Sequence, residues 1–330
     1  MIRVEQKEFR GWKNSFHLSN GTVELVVLSD VGPRIMRYGF CGQENQFHEF
    51  DDQTGKVGDE EFRLYGGHRL WAWPETERTY YPDNHPVSVE ETPHGAIFRA
   101  PIERDSPGTG LQRQIKLQLS ERESQVKVIH TITNHGTEPT RLAPWAPTVL
   151  KPGGRAILPF PPRAAMDKDH FQSVGPLTLW SFTDFTDPRW ILGQDYLQLV
   201  QHEKPAGRFQ EQMTGLYNPA EWGAYVRGSC VFLKRAAVQP GKQYPDYGCN
   251  FEVFTNPDFL ELETLGPVVD LRPGESTVHI EHWWLFDEVL PISNEESIRR
   301  EILPLVQKTA SFRKAQTPLP RHNLRLPNSL

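Results

Sequence analysis

The chain has 330 residues, a net charge of −6, an apolar fraction of 37% and a mean hydropathy of −0.56. That length suffices for one large domain with a sizeable core. No run approaches the ~18 apolar residues of a membrane span, and the acidic balance argues against nucleic acid as a partner. The N-terminal MIRVEQKEFRGWKN has charges but no apolar stretch of a secretory signal, and Cys41, Cys230 and Cys249 are odd in number and widely spaced. A cytoplasmic, reducing setting without disulfides is therefore expected, with no metal and no cofactor implied.

Strand signals dominate in chain order. Gly21 to Tyr38 holds two apolar runs separated by Asp-Val-Gly-Pro. Gln112 to Asn134 alternates through Ile115, Leu117 and Leu119, turns at Glu121 to Ser124, and alternates again through Val126 and Val128. Pro245 to Asn250 reads as a loop, followed by Phe251 to Thr277, a strand, a Gly-Pro step and a Leu-x-Pro-Gly-Glu turn. Val278 to Asp287 alternates once more. The βαβ pattern of a parallel sheet is missing. One helix is expected over Ser293–Thr309, capped by Asn294, with Glu295 and Glu296 in its first turn and Pro304 kinking or ending it. The organisation expected is a β domain over 1–292, a C-terminal helix over 293–310, and a basic proline-containing tail over 311–330. That tail either lies on the acidic body or has no fixed structure, although it could also meet an anionic partner.

Two segments concentrate chemistry. In LELET, Leu260 and Leu262 alternate with Glu261 and Glu263, so both carboxylates leave one face of a strand. They form either a wet outer face or a pair aimed into a groove, able to act as general base or to grip hydroxyls. In LYGGHRLWAWPE, His68, Arg69, Trp71, Trp73 and Glu75 follow a Gly-Gly turn. Tryptophan faces beside hydrogen-bonding groups suit an amphipathic sugar ring. The same residues also fit a packed core with a structural histidine. Tyr247 would reach the groove from the Pro245–Asn250 loop. Asn45 and His48 follow a glycine turn and fit an exposed loop better than the rim of the groove. His279 and His282 flank Glu281 on opposite faces, which disfavours a metal cluster.

The stretch from Phe251 to Thr277 resembles the C-terminal part of the galactose mutarotase-like (aldose 1-epimerase) superfamily. The order GPRIM, GGHRLWAWPE, APW and LELETLGP is similar to a group of bacterial proteins, the DUF4380 family. The resemblance implies a mainly β, antiparallel β-supersandwich with the site on a concave sheet face. It implies a small-molecule carbohydrate as ligand, with Glu263 as the base that removes the anomeric proton and His68 as the acid. Where family enzymes carry a second histidine, this chain has Trp145, Ala146, Pro147 and Thr148.

Three functions stay open on the sequence: an aldose 1-epimerase-like isomerase, a carbohydrate-binding module without activity, and a lyase or hydrolase using the groove carboxylates. Catalytic residues are expected at Glu263 and His68, and substrate contacts at Arg69, Trp71, Trp73, Glu75, Trp145, Tyr247 and Glu261. The two sugar readings require His68, Arg69, Trp73 and Glu263 to meet in one pocket. Finding His68 and Glu263 on opposite faces of the sheet would end both. Membrane partners are not expected, and the oligomeric state is open.

Overall fold

The computed structural model describes residues 2–58, 60–103 and 110–315, the last three by backbone alone; residues 316–330 of the basic tail lie outside the described residues. Two antiparallel sheets are stacked, one of thirteen strands and one of ten. This is the expected mainly β, antiparallel sandwich.

The larger sheet runs from Arg3–Phe9 through Trp12–Ser19, Val23–Leu28, Arg34–Phe40, Gly67–His68, Thr148–Leu150, Leu260–Leu265, Phe251–Thr255 and Gln212–Leu216 to Leu177–Leu179. Thr140–Ala146 also joins Leu260–Leu265 and pairs with Trp71–Trp73. The smaller sheet centres on Cys230–Ala236, Ser276–Phe286, Val126–Asn134 and Leu111–Leu119. Its alternating strands send Ile115, Leu117, Val126, Val128 and Ile132 into a core shared with Leu260 and Leu262 of the larger sheet. With Leu260 and Leu262 inward, the two-residue period turns Glu261 and Glu263 to the face away from the second sheet.

The outer face of the smaller sheet is covered at the C-terminus. Asn294 caps the helix α1 (Glu295–Glu301), its side chain accepting from Ser297 N at 2.9 Å. Instead of one helix over 293–310 there are two, because Pro304 starts a new first turn in α2 (Leu303–Lys308). Ile298, Ile302 and Val306 pack with Val231, Leu233 and Trp284. No described helix is long and apolar enough to cross a membrane.

Candidate functional site

The hairpin Phe251–Leu265 fixes the site's register. Asn256 Oδ1 accepts from Asp258 N at 2.9 Å and Phe259 N at 3.0 Å, closing an Asx-type turn. The register that follows places Glu252 directly opposite Glu263, and Phe254 opposite Glu261. Gly215 lies beside Glu252 on the next strand. A Cβ there would sit 2.9 Å from Glu252 Cγ and 2.8 Å from Cys249 Sγ, so glycine makes room for the buried carboxylate.

Tryptophans reach the same face by a second route. Tyr65, Gly66 and Gly67 all have positive φ. A Cβ on Gly66 would lie 2.1 Å from His48 O, and one on Gly67 2.3 Å from Ile35 O, so two glycines let this strand enter the sheet. Trp71 then pairs with Trp145, and Trp145 with Leu265, forming a row across three strands. Trp73 stands two residues on from Trp71, on the same face. A cleft of about 260 Å³ results, walled by Trp73, Glu75, Trp145, Trp180, Asp246 and Glu252, with Pro74 and Met213.

Glu263 lies just beneath this wall and is only 1% exposed. The Trp145 indole Nε1 donates to its carboxylate. Burial pushes Glu263 up to about 7, against the Trp145 hydrogen bond, with the Glu75 and Asp246 charges adding to the rise and Lys234 opposing it. Glu252 is equally buried and is held well above the usual carboxylate range, by burial first and then by Glu263 and Asp246. Glu261 is raised likewise, by burial and by Glu263, with Arg69 pulling it back. With Glu263 near neutrality and Glu252 and Glu261 raised beside it, the cluster is suited to acid–base work.

Of the expected residues, Trp73, Glu75, Trp145, Glu261 and Glu263 share this face. Trp73 Nε1 donates to Asp246 Oδ1 at 3.1 Å, and Tyr80 donates to Glu75. Trp71 is a packing residue, its ring edge-on to Trp145 at 4.9 Å within a cluster that includes Leu265. Arg69 is buried below it, 4.7 Å from the Trp71 ring centroid and 5.0 Å from that of Phe62, with Asp83 as ion-pair partner. Tyr247 forms no part of the wall and is 91% exposed; its neighbour Asp246 takes that place.

His68 requires the main correction. It pairs with Thr148, whose neighbour Val149 is opposite Glu261, so its side chain enters the layer between the sheets. There it is fully buried, outside the cleft wall and on the opposite face from Glu263. The pairing of His68 as acid with Glu263 as base fails on this geometry, and with it both sugar readings as built on a pocket of His68, Arg69, Trp73 and Glu263; the reason is packing. His68 belongs to a closed polar network. His130 Nδ1 donates to the His279 carbonyl at 3.1 Å, so its Nε2 accepts from His68 Nε2 at 2.7 Å, and Thr148 donates to His68 Nδ1 at 2.8 Å. Thr264 accepts from His279 Nε2 at 2.6 Å and donates to Glu281, and Trp283 Nε1 donates to Glu281 at 2.8 Å. Lys234 Nζ donates to Ala146 O at 3.1 Å, Leu262 O at 3.0 Å and Glu281 Oε1 at 3.0 Å. His68, His130 and Glu281 come close enough to share a cation. Neutral histidines and the Lys234 ammonium already satisfy every one of these atoms.

Sequence reasoning missed Glu252, Asp246, Trp180 and Lys234. Glu252 had a signal: counting back from the Asn-Pro-Asp turn sets it against Glu263. Lys234 had one too, as a charge that follows the apolar run VFL and precedes Arg235 in VFLKRAA.

Solved structures share the fold. A candidate aldose 1-epimerase of Klebsiella pneumoniae superposes with a TM-score of 0.56 at 14% identity, over 93% of this chain and 87% of that one. A galactose mutarotase-like protein of Lactobacillus casei gives 0.55 at 9% identity, over 83% of this chain and 100% of its own. A TPR-domain-containing protein of Parabacteroides distasonis gives 0.55 at 14% identity, covering 95% of this chain and 50% of the longer partner. No family model and no curated protein sequence matches the chain. At these identities the likeness defines a fold class, the galactose mutarotase-like sandwich.

Proposed function

We propose that this protein binds a small carbohydrate in the tryptophan-walled cleft and interconverts the anomers of an aldose. The observation that carries the reading is the opposition of Glu252 and Glu263 across one hairpin, under Trp73 and Trp145. In the proposed reaction, ionised Glu263 takes the proton of the anomeric hydroxyl. Protonated Glu252 gives its proton to the ring oxygen. The bond between C1 and the ring oxygen breaks while the carbonyl forms at C1, and closure on the other face returns both protons. The tryptophan rings supply the apolar surface for the sugar, and a cleft at the small end of ligand pockets suits a monosaccharide.

The ordered motifs from GPRIM to LELETLGP support a place near the DUF4380 family, and the sequence supports a cytoplasmic setting; both belong to this proposal. A second reading, sugar binding without turnover, is favoured by the burial of His68 away from the cleft. Tryptophan fluorescence titrations with a panel of aldoses test the binding they share. A sugar should perturb the emission, and Trp73→Ala should weaken affinity about tenfold. Silence to every aldose, or full affinity in the variant, would count against it.

A further inference from the structure

The cleft's charge is one-sided. Glu75, Asp246 and Glu252 line it, and among the described residues no lysine, arginine or histidine does. The nearest cations are engaged elsewhere: Lys234 works from behind the sheet, on Glu281 and two strand carbonyls, and Arg69 is paired with Asp83. Asp246 lies within hydrogen-bonding reach of Glu252. Two carboxyl groups can share that contact only through a proton or a cation.

A second feature points to a ligand. Glu252 Oε1 is buried and has no hydrogen-bond partner, although Glu252 forms part of the cleft wall. A buried acceptor left unpaired is costly, and a donor arriving with the ligand would recover that cost. Aromatic walls act in the same direction, because an ammonium beside Trp73, Trp145 or Trp180 gains from the negative ring faces. A divalent metal fits less well. Among the described residues, the three-group sets close enough to share one ion comprise His68, His130 and Glu281 in the core, not the cleft carboxylates.

We infer that the cleft selects aldoses bearing a primary ammonium group, with Asp246 and Glu75 as its charge partners and the unpaired Oε1 of protonated Glu252 accepting one N–H, and rejects phosphorylated and carboxylated sugars. This inference rests on the carbohydrate reading above and narrows its substrate class.

Calorimetric titration of the full chain with D-glucosamine, N-acetyl-D-glucosamine, D-glucose and D-glucose 6-phosphate, repeated with the galactose series, tests it. The amino sugar of one series should bind about tenfold or more tighter than its neutral and N-acetylated counterparts, with the phosphate weakest. Asp246→Asn, at a half-buried position, and Glu75→Gln, at an exposed one, should each shrink the ratio of amino-sugar to neutral-sugar affinity at least about threefold, and an unchanged ratio in both would overturn the inference. If neutral sugars bind as tightly as amino sugars, or phosphates bind tighter, the ammonium inference fails while the carbohydrate reading stands. If no sugar binds, both fail. If calcium raises the melting temperature more than any sugar, and the same two variants abolish that rise, the carboxylates form a metal site and the inference is overturned.

Discussion

The indole N–H of Trp145 is donated to the carboxylate of Glu263, tying together two strands whose residues lie 118 positions apart. Trp145 lies in the stretch Trp145–Thr148, where the resemblance implied a second histidine and the chain has none. In the proposed reaction the indole is a fixed hydrogen-bond donor and the proton transfers are assigned to carboxyl groups.

Removing the indole N–H follows directly. The bond favours the charged form of Glu263 and opposes the rise caused by burial. Trp145→Phe should therefore move the Glu263 titration above its present value of about 7. An anomerisation rate that needs ionised Glu263 should then have its acidic limb displaced toward higher pH. A pH–rate profile that overlays the wild type would count against this role for Trp145.

Glu263 also couples stability to pH. Its carboxyl titrates near 4.5 when exposed and near 7 in the fold, so between those values the folded state holds more protons than the unfolded one. Stability contributed by this group is therefore intact below the lower value and falls as pH rises through about 7. Glu263→Gln removes the penalty. The variant should melt a few degrees above the wild type at pH 8, at about 2–4 °C per kcal/mol, and show no such gain at pH 4. Differential scanning calorimetry at the two pH values decides the matter.

Behind the sheet, Lys234 and Glu281 are both fully buried and paired at 3.0 Å. Lys234→Met should cost about 3–5 kcal/mol, because it leaves the Glu281 charge uncompensated. The double variant Lys234→Met, Glu281→Gln should recover part of that loss. Urea unfolding curves for the two variants test the coupling, and equal losses in both would refute it.

His68 gives a contrasting expectation. Within the closed network, its removal leaves Thr148 and His130 unpaired and opens a hole in the core. His68→Ala should destabilise by about 2–4 kcal/mol. Sugar affinity and the pH profile of the folded fraction should stay within about twofold of the wild type. A large fall in rate with unchanged stability would restore a chemical role for this histidine.

How far the sequence reached follows from which interactions are local. Strand alternation in 111–134 and 260–265, the Asn294 cap and the break at Pro304 are short-range features, and each is visible in the residues themselves. The two-residue period of LELET also carried the shared face of Glu261 and Glu263. The misplaced residues depend on pairing across the sandwich. The face taken by His68 is set by Thr148, and its partner His130 comes from the other sheet. The choice between Tyr247 and Asp246 rests on a loop in which both have positive φ. Neither relation is encoded within a few residues of the side chain concerned. Glu252 lay within reach, because a four-residue turn determines its register.

The central claim is that Glu263 acts as a base on a sugar held in the tryptophan cleft. Magnetisation-transfer NMR on the α and β anomers of the aldose that binds best measures it most directly. The account predicts that the wild type accelerates exchange over buffer. Glu263→Gln should lower that acceleration by about 10²-fold or more while altering affinity modestly. A Glu263→Gln variant with full activity, or a wild-type protein that binds aldoses and accelerates none of them, would contradict it.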